Sequence, residues 1–174
     1  MRILEIKKVS LSKKNKEFRQ LIKSKHGAER ITSCYQCGTC TSDCPIAKRV
    51  PEFNPRRIAL LAIYGLKDEL FARDTIWLCA GCYTCYERCP EKVRVSEIIS
   101  ALRNIAVEEG VLHPTFKALF KTIYSQGYIY EIGEFENEMR EEEGLPHAPE
   151  PNVDEIKAIM KNMSILKVLG GEMD

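Results

Sequence analysis

Cys34-Tyr35-Gln36-Cys37-Gly38-Thr39-Cys40-Thr41-Ser42-Asp43-Cys44-Pro45 and Cys79-Ala80-Gly81-Cys82-Tyr83-Thr84-Cys85-Tyr86-Glu87-Arg88-Cys89-Pro90 share one frame, C-x2-C-x2-C-x3-C-P. The two runs use all eight cysteines of the chain. This is the spacing of a protein that holds two [4Fe–4S] clusters, and in such proteins the fourth cysteine of each run ligates the other cluster. The expected ligand sets are therefore Cys34, Cys37, Cys40 and Cys89 for the first cluster, and Cys79, Cys82, Cys85 and Cys44 for the second.

Two other uses of cysteine fit less well. Structural zinc takes four ligands, usually as two separated pairs, whereas here three cysteines at steps of three wrap a short loop around the corners of a cubane. Disulfides need an oxidising compartment, normally reached through a signal peptide. Met1–Leu11 alternates charged and apolar residues without an apolar core. No apolar run approaches the length of a membrane span, and the longest, Ile58–Tyr64, has seven residues. A soluble, cytoplasmic chain is expected.

The net charge of +1 conceals an asymmetry. Residues 1–60 carry fourteen Lys and Arg against five Asp and Glu, and residues 130–174 carry four against twelve. The two ends either meet different partners or are simply solvated. The basic segment has no nucleic-acid reader motif and no interleaved aromatics, so nucleic acid is not an expected partner.

Between and beyond the cysteine runs the pattern is helical. Phe18, Leu21 and Ile22 suggest a helix over Asn15–Lys25. Asn54-Pro55 is a cap followed by a first-turn proline, opening a helix with Ile58, Leu61, Ala62 and Leu66 on one face and running to about Arg73. Arg56 and Arg57 oppose the helix dipole in its first turn. Ser96 is a candidate cap for a helix to Glu109, with Ile98, Ile99, Leu102, Ile105 and Ala106 buried and Gly110 as its stop. A further helix begins at Pro114, carries Phe116, Leu119, Phe120, Ile123 and Tyr124, and ends at Gly127. The acidic, proline-bearing stretch 131–151 reads as a tether or exposed loop. Asn152 and Glu155 nearly form a capping box for a last helix to Gly170, with Ile156, Ile159, Met160, Met163 and Leu166 on one face; it packs on its own domain or on a partner. Ile3–Val9 is a possible short strand.

The expected fold is mainly α: an α-helical ferredoxin with two [4Fe–4S] loops and a C-terminal helical extension. It divides into a basic lead-in (1–33), the ferredoxin domain (34–130), and the acidic linker with its helix (131–174). The interval selects this architecture, because 34 residues with helical character separate Cys44 from Cys79, whereas small two-cluster ferredoxins use short strand–helix halves.

The wording of the two cysteine runs, together with Asn54-Pro55-Arg56-Arg57 and the Trp77-Leu78 that precedes Cys79, resembles the C-type iron–sulfur subunit of heterodisulfide reductase over roughly residues 15–130. The resemblance implies a relay without catalysis of its own. Electrons would leave a flavin-bearing subunit of the A type, cross two cubanes, and reach the catalytic subunit of the B type. That catalytic subunit reduces the mixed disulfide of coenzyme M and coenzyme B in methanogenesis. A nickel–iron hydrogenase or formate dehydrogenase would feed the complex, coupled to ferredoxin reduction by flavin-based bifurcation. The residues agree with a relay: there is no Cys-Cys dipeptide and no G-x-G-x-x-G fingerprint, and every thiol is committed. Gly38, Gly81 and the small Thr39, Thr84 and Ala80 would let backbone N–H groups approach the cluster sulfurs.

Trp77, Tyr35, Tyr83 and Tyr86 read as shields over the clusters, and His26, His113 and His147 as surface or capping residues. Lys48 and Arg49 would offset cluster charge, bind a partner or face solvent. The alternatives in function are an iron–sulfur subunit of another anaerobic dehydrogenase and a free-standing ferredoxin. The 33 residues before Cys34 contain no cysteine for a [2Fe–2S] domain, and a diffusing carrier has no use for the 85 residues after Cys89.

Overall fold

The computed structural model describes residues 10–72 and 74–169. All regular structure among them is helical, as expected; the possible strand at Ile3–Val9 lies outside the described residues. None of these helices is long and apolar enough to cross a membrane. The chain divides between Ala106 and Val107 into two compact units.

In the first unit a short 3-10 turn, Leu11–Lys13, precedes α1, Lys16–Ser24. Asn15 caps α1 by accepting the Phe18 N–H at 2.8 Å, and Phe18 and Ile22 are its buried residues. A 3-10 turn, Ile31–Ser33, leads into the first cysteine run, which contains α2, Thr39–Ser42. Asn54 caps α3, Pro55–Ile63, through the Arg57 N–H at 2.9 Å, with Pro55 in the first turn.

The single helix expected up to about Arg73 is broken. α3 stops at Ile63 and α4 covers Lys67–Phe71. The cause is Gly65, which sits at φ +65° with the Asn15 carbonyl oxygen in the place where a Cβ would stand. Only glycine permits both the left-handed turn and this approach to the start of α1. The expected apolar face survives the break, since Ile58, Leu61, Ala62 and Leu66 are all buried. The turn also sets the Phe71 ring edge-on to Phe18, 5.7 Å between centroids.

A 3-10 stretch, Asp74–Leu78, enters the second cysteine run, which contains α5, Thr84–Glu87, and then α6, Val95–Glu108. α6 is the spine of this unit: Ile98, Ile99, Leu102, Ile105 and Ala106 are buried as expected, against Phe53, Ile76 and Leu70. Each such leucine, isoleucine or phenylalanine taken fully out of water contributes about 1.5–3 kcal/mol. Ser96 does not cap α6; it lies inside the first turn with its side chain buried.

In the second unit α7, Pro114–Gln126, is capped by His113, whose Nδ1 accepts the Thr115 N–H at 3.2 Å. Gly127 closes it at φ +77° with Pro151 packed where a Cβ would stand. The stretch read as a tether instead contains α8, Glu134–Glu142. Local bonds fold it: the Gly133 N–H donates to Glu136 at 2.8 Å, holding that carboxyl below its ordinary range. Arg140 then donates to the Pro146 carbonyl at 2.8 Å, and Asn137 accepts the Ala148 N–H at 3.0 Å.

The expected last helix is two helices, α9 (Val153–Met160, capped by Asn152) and α10 (Ser164–Leu169), with a turn between them. The turn lets Met160, Ile165 and Leu169 bury together against Phe120, Ile123 and Tyr124 of α7. This segment therefore packs within its own unit. Ile159 and Met163, expected on the buried face, are exposed.

Candidate iron–sulfur centres

The two cysteine loops have matching backbones. Gln36 (φ 65°) and Gly38 (φ 91°) flank Cys37, and Gly81 (φ 64°) and Tyr83 (φ 59°) flank Cys82. Left-handed residues alternating with ordinary ones turn successive N–H groups to one side, the nest arrangement that receives anionic sulfur. Gln36 and Tyr83 hold this conformation without being glycine, at a cost of about 1–3 kcal/mol each. α2 and α5 then carry the third cysteine of each run, and these two short helices pack against each other.

Burial grades the thiols. Cys40 and Cys44 are buried, Cys34, Cys79, Cys85 and Cys89 are half-buried, and Cys37 and Cys82 are exposed. Each exposed cysteine has a threonine two residues on whose hydroxyl lies beside its sulfur, Thr39 at 3.4 Å and Thr84 at 3.5 Å. Hydrogen bonding with these threonines lowers the Cys37 and Cys82 thiols below their ordinary range. Burial does the reverse at Cys40, pushed up to about 11, and raises Cys85. A buried thiolate of this kind persists only beside a compensating cation.

Donors converge on other sulfurs. Gln36 Nε2 donates to Cys34 Sγ at 3.2 Å, and the Val93 N–H donates to Cys89 Sγ at 3.3 Å. Thr41 donates to Asn54 Oδ1 at 3.1 Å and accepts the Arg56 N–H at 2.9 Å, which ties the first loop to the start of α3. Arg88 of the second run pairs with Asp43 of the first at 3.2 Å. With the arginine largely exposed this pair adds little stability, but it joins the two runs.

One group of thiols draws on both runs. Cys44 lines one cavity with Cys79, Cys82 and Cys85, walled on the apolar side by Phe53 and Ile99. Cys40 is within electrostatic range of Cys85, Cys34 and Cys37, whose charges add to burial in raising its thiol. Tyr35 bonds to the Cys37 sulfur and feels the charge of Cys89. Among the described residues no three cysteine, histidine or acidic side chains converge as ligands of a single ion. A cubane takes each thiolate at a separate iron corner, so its ligands stand apart.

Residues 30–93 match the 4Fe-4S dicluster domain family. Over 156 residues the chain is 35% identical to the C subunit of the H(2):CoB-CoM heterodisulfide,ferredoxin reductase of Methanothermobacter marburgensis, covering 90% of this chain and 83% of that one. The C2 subunit of the H(2)/formate:CoB-CoM heterodisulfide,ferredoxin reductase of Methanococcus maripaludis is 34% identical over 80% of this chain and 78% of its own. A protein of Archaeoglobus profundus described as like the C subunit of heterodisulfide reductase is 34% identical over 81% and 74%. The chain belongs to the family of heterodisulfide reductase C subunits. Its role is that of an iron–sulfur, electron-relaying subunit of an oxidoreductase, without catalysis of its own.

Two residues of α6 in this heterodisulfide reductase family chain belong to the site without having been read as part of it from the sequence. The Ser96 hydroxyl is buried without a hydrogen-bond partner, in the cavity of Cys44, Cys79, Cys82 and Cys85. It faces Cys85 closely enough to favour that thiolate. An orphaned buried donor in a thiol-lined cavity fits a site built around an anionic sulfur cluster, because such a donor is otherwise costly. Arg103, on the same helix, donates to the carbonyls of Ile76, Trp77 and Cys79 at 2.8, 3.0 and 2.7 Å.

The aromatic shields are only partly as expected. Trp77 is half-buried with Arg103 over its ring, and Tyr86 is half-buried with Arg94 over it. Tyr35 and Tyr83 are exposed at 61% and 48%, so they flank the loops rather than seal them. Lys48 and Arg49 are exposed. His26 is exposed, and His147 bonds to Glu141 on the surface.

Proposed function

We propose that this chain is the relay of a cytoplasmic heterodisulfide reductase complex and carries two [4Fe–4S] clusters. One is held by Cys34, Cys37, Cys40 and Cys89, the other by Cys44, Cys79, Cys82 and Cys85. Electrons pass from a flavin-bearing subunit through this chain to the catalytic subunit, which reduces the coenzyme M–coenzyme B heterodisulfide. Hydrogenase or formate dehydrogenase supplies them upstream. The observation that carries the reading is the cavity shared by Cys44 with three cysteines of the other run.

Each cluster, when bound, accepts and returns one electron. The chain's own residues do the rest. Buried Cys40 and Cys44 hold the inner side of the loops away from water, while exposed Cys37 and Cys82 leave one edge of each loop for a partner to approach. The packing of α2 on α5 keeps the two loops adjacent. Tyr35 and Tyr83 give partners an aromatic surface beside those edges.

The test is anaerobic purification of the tagged chain from its own cells. Co-elution with a flavoprotein and with a protein containing a Cys-Cys motif is expected. A lone species of 19.9 kDa would favour the free carrier instead.

A further inference from the structure

α6 places Ser96, Ile99 and Arg103 at i, i+3 and i+7, which is one face of a helix. That face covers the second cysteine run: Ser96 and Ile99 line the cavity with Cys44, Cys79, Cys82 and Cys85, and Arg103 holds the carbonyls on either side of Leu78 and that of Ile76 before them. Resting on the ligand assignment proposed above, we infer that Ser96 and Arg103 are positioning residues that raise the reduction potential of the cluster held by Cys44, Cys79, Cys82 and Cys85, and of that cluster alone.

The argument is one of charge. Every hydrogen bond that Arg103 makes among the described residues goes to a backbone carbonyl and none to a carboxylate. A half-buried guanidinium without an acidic partner is costly. Its shortest bond, 2.7 Å, goes to the carbonyl of Cys79, which lines the cavity with Cys44, Cys82 and Cys85. The counter-charge that this placement offers the cation is that of those thiolates and the cluster they would hold. Reduction adds one electron and, with no proton taken up, one unit of negative charge to that cluster. A fixed cation and an aimed hydroxyl donor stabilise the added charge, and net charge and hydrogen bonds to sulfur are among the factors that set such potentials.

Ser96 supplies the independent observation. Its hydroxyl is buried, in a residue only 4% exposed, makes no hydrogen bond of ordinary length, and lines the same cavity as Cys85, the sulfur it is near enough to favour as a thiolate. The ligands proposed for the other cluster are served differently, by the Gln36 amide on Cys34 and the Val93 N–H on Cys89. Changes on α6 should therefore reach one cluster and spare the other.

The experiment is a potentiometric titration followed by EPR on the full-length chain, purified anaerobically, with iron counted in each sample. Arg103→Gln and Ser96→Ala are each expected to make the same one of the two clusters harder to reduce, with the other unmoved. Arg103→Lys, which keeps the charge, is expected to restore most of the shift. The affected signal should be the one perturbed by Cys82→Ser. Unchanged potentials, or equal shifts of both clusters, would overturn the inference. If Arg103→Gln loses iron through its hold on the loop, Ser96→Ala and Arg103→Lys decide: an unmoved potential in Ser96→Ala overturns it. Wild-type protein with far fewer than about eight iron per chain would instead sink the ligand assignment, leaving the two failures distinguishable.

Discussion

Cys44→Ala lowers the iron content from about eight to about four per chain, and a second substitution shows which cluster has gone. With crossed ligation, Cys44→Ala combined with Cys85→Ala still leaves about four iron, because both residues serve one cluster. Cys44→Ala combined with Cys40→Ala then leaves essentially none. If each run held its own cluster, the two doubles would exchange results. Alanine is the right replacement, since a serine oxygen can still bind iron. Cys44 is 8% exposed and sits in the apolar core with Phe53, so the smaller side chain removes a ligand without adding bulk. Iron analysis with the visible absorption of the clusters reads the outcome.

The second large effect is on the fold. Cys40 and Cys44 belong to the main apolar core, and Cys34, Cys79, Cys85 and Cys89 pack against it. Removing the clusters leaves thiols facing one another across the centre of the first unit, with the Ser96 hydroxyl and the half-buried Arg103 lacking the anion that they surround. Metal binding and folding are coupled in such sites, and the stability at stake is that of a whole domain, about 5–15 kcal/mol. Anaerobic chelation is expected to abolish the near-UV circular dichroism and the cooperative melt of the first unit. Apo-protein that melts within a few degrees of the loaded chain would contradict this.

The cysteine frames and the helix starts were legible in the sequence because their signals are local. Asn54 and Asn152 each accept the N–H three residues on, as their position before an apolar period suggested, and Asn15, read as the first residue of its helix, caps it in the same way. The break at Gly65 was hidden inside an unbroken apolar period. Its cause, the Asn15 carbonyl, lies fifty residues away in sequence. α8 was hidden by composition: prolines and glutamates suggest a linker, yet single bonds from Gly133, Asn137 and Arg140 close the turns.

At the site, sequence reasoning found the candidate ligands but not what supports them. Gly38 and Gly81 were read as the permissive positions, whereas Gln36 and Tyr83 share the left-handed geometry. A glutamine or tyrosine carries no mark of that conformation. Ser96 looked like a cap because serine before an apolar stripe usually is one. Arg103 looked like any helix arginine until the fold set three carbonyls around it.

The relay itself is tested by following electrons. The anaerobically purified chain is reduced, freed of excess reductant and mixed with the coenzyme M–coenzyme B heterodisulfide, while EPR monitors the reduced clusters. The signal should persist when the chain is alone and decay once the purified catalytic subunit is added, with thiol released in proportion to the electrons lost. Reoxidation by heterodisulfide without the catalytic subunit, or a signal that survives its addition, would contradict the relay role.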